Sequence, residues 1–174
     1  MAGPAPSRHR DAHDAPERGA ARRFAVVAAR FNERITERLV DGALRAFTEA
    51  KVPAEGVELH WVPGSFELPQ AASHLATTRR YAGIVCLGVV IRGQTPHFEY
   101  VAREAAAGIR EVALATGVPV TFGVITALSE EQAWARAGGA VGNRGQEAAD
   151  AAIEMAAFVE RVREGQSDGP APKS

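Results

Sequence analysis

The sequence predicts a three-layer αβα sandwich around a small, mainly parallel, four-stranded sheet. Two observations carry this. Four short apolar runs are each followed by a segment with helical period and length. One of them, 83–90, is apolar without alternation, as a strand becomes when helices cover both sheet faces. Strands and helices that alternate in this way form right-handed βαβ units.

The elements follow in order. Phe24–Ala29 (FAVVAA) is the first strand. Residues 35–50 form a helix with Val40, Leu44 and Phe47 on one stripe. Residues 57–62 alternate as a second strand, and 67–79 form a helix. The third strand is 83–90, and the helix over 98–115 stops at Gly117, which suits a C-terminal cap. The fourth strand covers 118–125. Ser129 and Gln132 have capping-box spacing at the start of a short helix, which Gly142-Asn143-Arg144-Gly145 ends. A last helix carries Ala148, Ala152, Met155, Val159 and Val162 on one face. The whole is of flavodoxin-like type. Four strands make a small sheet, so another subunit is expected to complete its burial.

The chain has 174 residues, enough for one domain with a sizeable core. Residues 1–23 mix Pro, Ala, Arg, His and Asp without period, and 165–174 are rich in Gly, Pro and Ser; both are expected to be flexible tails around a domain at 24–164. Neither a secretory signal nor a membrane span is expected, since no apolar stretch of about 18 residues occurs. A formal net charge of −1 provides no field for nucleic acid or membrane. The single cysteine, Cys86, lies in an apolar run and reads as a reduced core residue. A cytoplasmic location is expected.

In such folds the ligand sits beyond the carboxyl ends of the strands. After the first strand comes Phe31, and after the second Phe66; each can be a core plug, or the two rings can sandwich a planar heterocycle. Glu67 opens a helix, where the dipole already explains a carboxylate. Arg92 follows the third strand and reads as a solvated charge. Thr95 can cap a helix, or offer its hydroxyl and N–H to a phosphate. His97 lies in the first helical turn, and can be a solvated surface residue or a base or neutral donor near pH 7. Arg136 is late in a short helix and can simply complement its dipole.

Six motifs carry a resemblance. They are ARFN at 29–32, PGSFELP at 63–69, LGVVIRGQTPHFEY at 87–100, FGVIT at 122–126, EQAWARAG at 131–138 and GNRGQEAA at 142–149. In order and spacing they resemble the 6,7-dimethyl-8-ribityllumazine synthase family, from about Phe24 to Val162. The resemblance implies condensation of 5-amino-6-(D-ribitylamino)uracil with 3,4-dihydroxy-2-butanone 4-phosphate, a transferase step of riboflavin biosynthesis without cofactor or metal. It implies that Phe31 stacks on the pyrimidine ring. Ser65, Phe66 and Glu67, with the backbone of Val89, Val90 and Ile91, would bind ring and ribityl chain. Gln94 and Thr95 would hold the phosphate, and His97 would transfer protons. Phe122 and Arg136 would enter from a neighbouring subunit, Arg136 to grip the phosphate.

Three departures stand out. Gln94 occupies a position where many members have Asp or Ala. The usual Gly-Thr-Lys-Ala-Gly run is here Gly138-Gly139-Ala140-Val141-Gly142, without the lysine. Arg144 replaces a common lysine and keeps its charge. The resemblance further implies a homopentamer. The absence of an insertion between the last two helices leans towards a 60-subunit icosahedral shell. The lack of an obvious strand at 15–21 weighs against one, and association with riboflavin synthase stays open.

Other classes fit less well. A flavin carrier would want a Ser/Thr/Gly-rich loop after the first strand, where this chain has Arg30-Phe31-Asn32-Glu33. A receiver-type domain would want aspartates at the strand ends, where Pro63, Arg92 and Thr126 stand. A shell protein without activity is opposed by the joint presence of Phe31, Glu67, Thr95, His97 and Arg136.

Overall fold

A computed structural model describes residues 22–167 and Gly169. The tails expected at 1–23 and 165–174 therefore fall mostly outside the described residues. The elements run β1 (Phe24–Ala29), α1 (Glu33–Glu49), β2 (Val57–Val62), α2 (Leu68–Thr77), β3 (Gly83–Ile91), α3 (His97–Thr116), β4 (Val120–Ala127), α4 (Glu130–Ala135), β5 (Ala137–Gly139), β6 (Gly142–Asn143) and α5 (Arg144–Arg163). The main sheet is parallel throughout, in the order β2-β1-β3-β4. Helices cover both faces, as expected. One layer joins α1, α4 and α5 over a core that includes Phe24, Leu39, Phe47, Leu87, Ile125 and Ala152. The other joins α2 and α3 over Val27, Leu68, Ile84, Ile109 and Val124.

The central strands explain the unbroken apolar runs. Every residue of β1 is buried, and so are all of β3 but Ile91. β2 lies at an edge, and its residues are only partly covered. Ser129 does cap α4, accepting from the Gln132 N–H at 3.3 Å, while Gln132 Oε1 accepts from Leu128 N at 3.0 Å. Gly117 ends α3 with φ 70, a left-handed cap free of steric cost in glycine.

Four expectations need correction. β4 begins at Val120 rather than 118, because pairing with β3 starts at Ile84 opposite Val120. Residues 65–67 form a 3-10 turn ahead of α2. On α1 the buried stripe is Ile35, Leu39, Val40, Ala43, Ala46 and Phe47, and Leu44 is exposed. On α5 the covered residues are Gly145, Ala148, Ala149, Ala152 and Ala156, so the expected stripe divides: Met155 and Val162 face outward with Phe158. Small residues win there because α5 lies close against α1; a side chain on Gly145 would overlap the Leu39 carbonyl. The antiparallel pair β5–β6 was not foreseen. Asn143 holds it in place. Its Nδ2 donates to the Arg38 carbonyl at 2.8 Å, and its Oδ1 caps α5 by accepting from Gly145 N at 2.8 Å and Gln146 N at 3.1 Å.

A charged cluster closes the amino-terminal end of the sheet. Glu58 on β2 accepts from the Tyr81 hydroxyl and from Arg23, and from Arg80 Nη2 at 2.9 Å. His60 Nε2 lies 3.5 Å from the same carboxylate. The Tyr81 hydroxyl first, and then Arg23 and Arg80, hold the Glu58 carboxyl below its ordinary range. Burial, then Glu58 itself, raises the Tyr81 phenol. Arg22 adds an ion pair to Glu160 on α5.

Candidate active site

The strand order itself marks a place for a ligand. From β1 the chain goes out to β2, then crosses back over β1 to β3. The helix after β1 packs in the α5 layer and the helix after β3 packs in the α2 layer. The two connections therefore part, and a crevice opens beyond the carboxyl ends of β1 and β3.

The β1 side carries two exposed rings. Pairing continues past the strand ends, with Arg30 N donating to Val62 O at 2.8 Å and Phe31 N to Pro63 O at 3.1 Å. This fixes the loop of Phe31 beside the loop of Phe66. Both rings stand out, Phe31 70% and Phe66 60% exposed. The core-plug reading of either is thereby overturned, since a plug would be covered. Ser65 is buried at the base of the second loop, packed on Gly88 of β3. A Cβ at Gly88 would lie 2.5 Å from Ser65 Oγ, so only glycine admits this approach. Glu67 follows, half-buried at the end of the turn that leads into α2.

The β3 side offers backbone. β1 pairs with β3 only as far as Ala28 opposite Leu87, whereas β3 continues beside β4 to Ile91. The edge of Val89, Val90 and Ile91 that faces the crevice is thus released from the sheet ladder. Asn32 takes one of its groups: Nδ2 donates to the Val89 carbonyl at 3.0 Å. Asn32 does so from a left-handed backbone, φ 62, which asparagine tolerates better than most residues. This tether went unforeseen. The only signal for it was an asparagine directly before a helix of period 3.6.

Beyond Ile91 the chain turns into α3. Arg92 N donates to Ala127 O at 2.9 Å, which anchors the turn to the end of β4. A cavity of about 130 Å³ follows, lined by Arg92, Gly93, Gln94, Thr95, Pro96, Phe98 and Glu99; His97 is not among its lining residues. Thr95 does not cap that helix. Pro96 occupies the cap position, and no side chain bonds to the cap. His97 is the first residue of α3, exposed, beside Thr95 and Gln94.

Phe122 and Arg136 are not brought to this crevice by their own chain. Phe122 pairs with Cys86, five residues short of the end of β4, so it sits about 16 Å back along the strand at the usual rise per residue. It is 44% exposed on an edge strand. Arg136 ends α4 in the α1/α5 layer, where Nη1 donates to the Gln132 carbonyl at 3.0 Å. That bond complements the last turn of α4, as read from the sequence. Cys86 is fully buried, and burial pushes its thiol up to about 12, far from any nucleophilic role near neutrality. Among the described residues no group of three or more His, Cys, Asp and Glu side chains could hold a metal, and no helix is long and apolar enough to cross a membrane.

Taken together, the crevice can clamp a flat polar ring between exposed aromatics and free strand backbone, and hold an anion at a helix start beside an imidazole. Compared with known families, the chain matches the family model described as 6,7-dimethyl-8-ribityllumazine synthase over residues 21–160.

Proposed function

The chain belongs to the 6,7-dimethyl-8-ribityllumazine synthase family of riboflavin biosynthesis, and from that premise we propose that it condenses 5-amino-6-(D-ribitylamino)uracil with 3,4-dihydroxy-2-butanone 4-phosphate. One observation carries the reading. The crevice between β1 and β3 joins exposed Phe31 to the edge of Val89–Ile91 that β1 leaves unpaired, and to Thr95 and His97 at the start of α3.

Phe31 supplies a face for the pyrimidine, and the backbone of Val89, Val90 and Ile91 supplies donors and acceptors matched to its edge. Ser65, Phe66 and Glu67 on the other loop bind the ring and the ribityl chain. Gln94 and Thr95 hold the phosphate where free N–H groups and the helix dipole favour negative charge. The ring amine attacks the ketone, and water leaves to give an imine. Phosphate is eliminated, the enol left at the neighbouring carbon tautomerises to a second carbonyl, and the ribitylamino nitrogen closes the ring on it with loss of another water. His97 moves protons through these steps. Much of the acceleration comes from holding two substrates together.

In this reading the catalytic unit is a homopentamer. A neighbour supplies Phe122 to the ring and Arg136 to the phosphate. Their distance from the crevice of their own chain supports that arrangement, as do the exposed apolar side chains Leu44, Phe122, Met155, Phe158 and Val162. The direct test is to mix the two substrates with the purified chain and follow lumazine fluorescence. Product formation at a rate above the spontaneous reaction is expected. A rate equal to the protein-free control would remove the assignment.

A further inference from the structure

We infer that Arg92 is a second phosphate-gripping cation, contributed by the same subunit as Thr95, and that it sets selectivity for the phosphorylated substrate. The inference rests on the condensation proposed above. Arg92 starts from a rigid base, since its N–H is bonded to the Ala127 carbonyl at 2.9 Å directly after the buried strand β3. It lines the cavity of about 130 Å³ together with Gly93 and Thr95. The space is open: a Cβ added at Gly93 would meet nothing within 4 Å.

Among the described residues some surface arginines are neutralised by a neighbouring carboxylate, and others, Arg92 with Arg34, Arg45 and Arg110, are not; of these four Arg92 alone lines the cavity. Arg30, Arg38 and Arg144 each pair with a carboxylate three residues onward, Glu33, Asp41 and Glu147. Three residues after Arg92 comes Thr95, a neutral hydroxyl, and among the described residues the Arg92 guanidinium has no ion pair. Glu99 faces the same cavity but does not neutralise it. An unneutralised guanidinium next to a free hydroxyl and a helix start fits a phosphate dianion, which takes bidentate donation. The partner subunit's arginine of the proposed function would then approach the same anion from the other side.

The test compares Arg92→Ala, Arg92→Gln and Arg92→Lys with the unaltered chain. Expected for Ala and Gln is a rise of about 10- to 100-fold in KM for the butanone phosphate, from the usual size of a hydrogen bond to a charged group. KM for the pyrimidine should stay unchanged, and inhibition by inorganic phosphate should weaken in parallel. Lys should recover part of the loss, because it keeps the charge without the fork. The Gln variant keeps a polar stem, which covers the case of an Ala variant that fails to fold. Unaltered KM for the phosphate substrate in a folded variant overturns the role of Arg92 and leaves the condensation standing. If the unaltered chain forms no lumazine, the condensation fails instead. Calorimetric titration with inorganic phosphate then decides the cation: equal affinity in the unaltered chain and Arg92→Gln overturns it, and weaker binding in the variant supports it.

Discussion

Asn32 is joined to Val89 across the mouth of the crevice: its Nδ2 donates to the Val89 carbonyl at 3.0 Å, from a backbone with φ 62. The bond ties the loop that displays Phe31 to the strand edge that would read the pyrimidine. It thus fixes the Phe31 loop relative to that backbone edge. Asn32→Gly retains access to the left-handed backbone and removes the tether. KM for the pyrimidine should rise about 2- to 10-fold, the equivalent of one neutral hydrogen bond, with a smaller change for the phosphate substrate. Equal shifts for both substrates would show that Asn32 only supports the fold.

His97 should assist without being indispensable. It stands exposed at the first position of α3, and the proposed function shares substrate positioning among many groups. His97→Ala is expected to lower kcat by about 10- to 1000-fold. Single-turnover measurement at saturating substrates checks this, and an unchanged rate in a folded variant rules out proton transfer by this residue.

The position of Phe122 and Arg136 away from the crevice of their own chain leads to a complementation test. One parent carries Phe31→Ala with His97→Ala, the other Phe122→Ala with Arg136→Ala. Each homo-oligomer has a lesion in every site. In mixed rings some junctions collect both lesions, and the opposite junctions have none. Activity should then exceed the sum of the parents, once native mass spectrometry has shown that the tagged chains mix. Parental activity in proven mixed rings would place all four residues within one subunit. Arg136→Ala alone should raise KM for the butanone phosphate about 10- to 100-fold while leaving that for the pyrimidine.

The Glu58 cluster predicts a pH profile of stability. Glu58 is lowered from 4.5 in the folded chain, so its contribution is present above that pH and is lost as pH falls through the lowered value. Tyr81 is raised from 10.0, so its contribution is present below that pH and is lost as pH rises through the raised value. Thermal melts from acid to alkaline pH should show both limbs. Glu58→Gln should flatten the acid limb, and Tyr81→Phe should abolish the alkaline limb and weaken the acid one. An acid limb that persists in Glu58→Gln would assign it to other carboxylates.

Much of this was legible in the sequence, for physical reasons. The unbroken run of β3 marks a strand covered on both faces, and the Ser129 cap and the Gly117 stop follow from local chemistry that no tertiary contact overrides. What failed depends on partners distant in sequence. Leu44 and Met155 have the period of a buried face, but the close approach of α1 and α5 at Gly145 buries small residues instead. Thr95 looks like a cap, yet Pro96 takes that position. The Asn32 tether spans 57 residues of sequence, and an asparagine before a helix does not name its distant partner. The β5–β6 pair is too short for a periodic signal.

The burial of β1 and of all of β3 but Ile91 has a consequence for how the crevice behaves in time. Backbone groups paired within such buried strands open only with the whole molecule, so the amide protons held in the β1–β3 and β3–β4 ladders exchange last. The loops of Phe31 and Arg92 hang directly from these two strands. The floor between them is therefore among the slowest-opening parts of the molecule, and a substrate arriving there meets a surface already in its working shape. Little ordering entropy remains to be lost on binding.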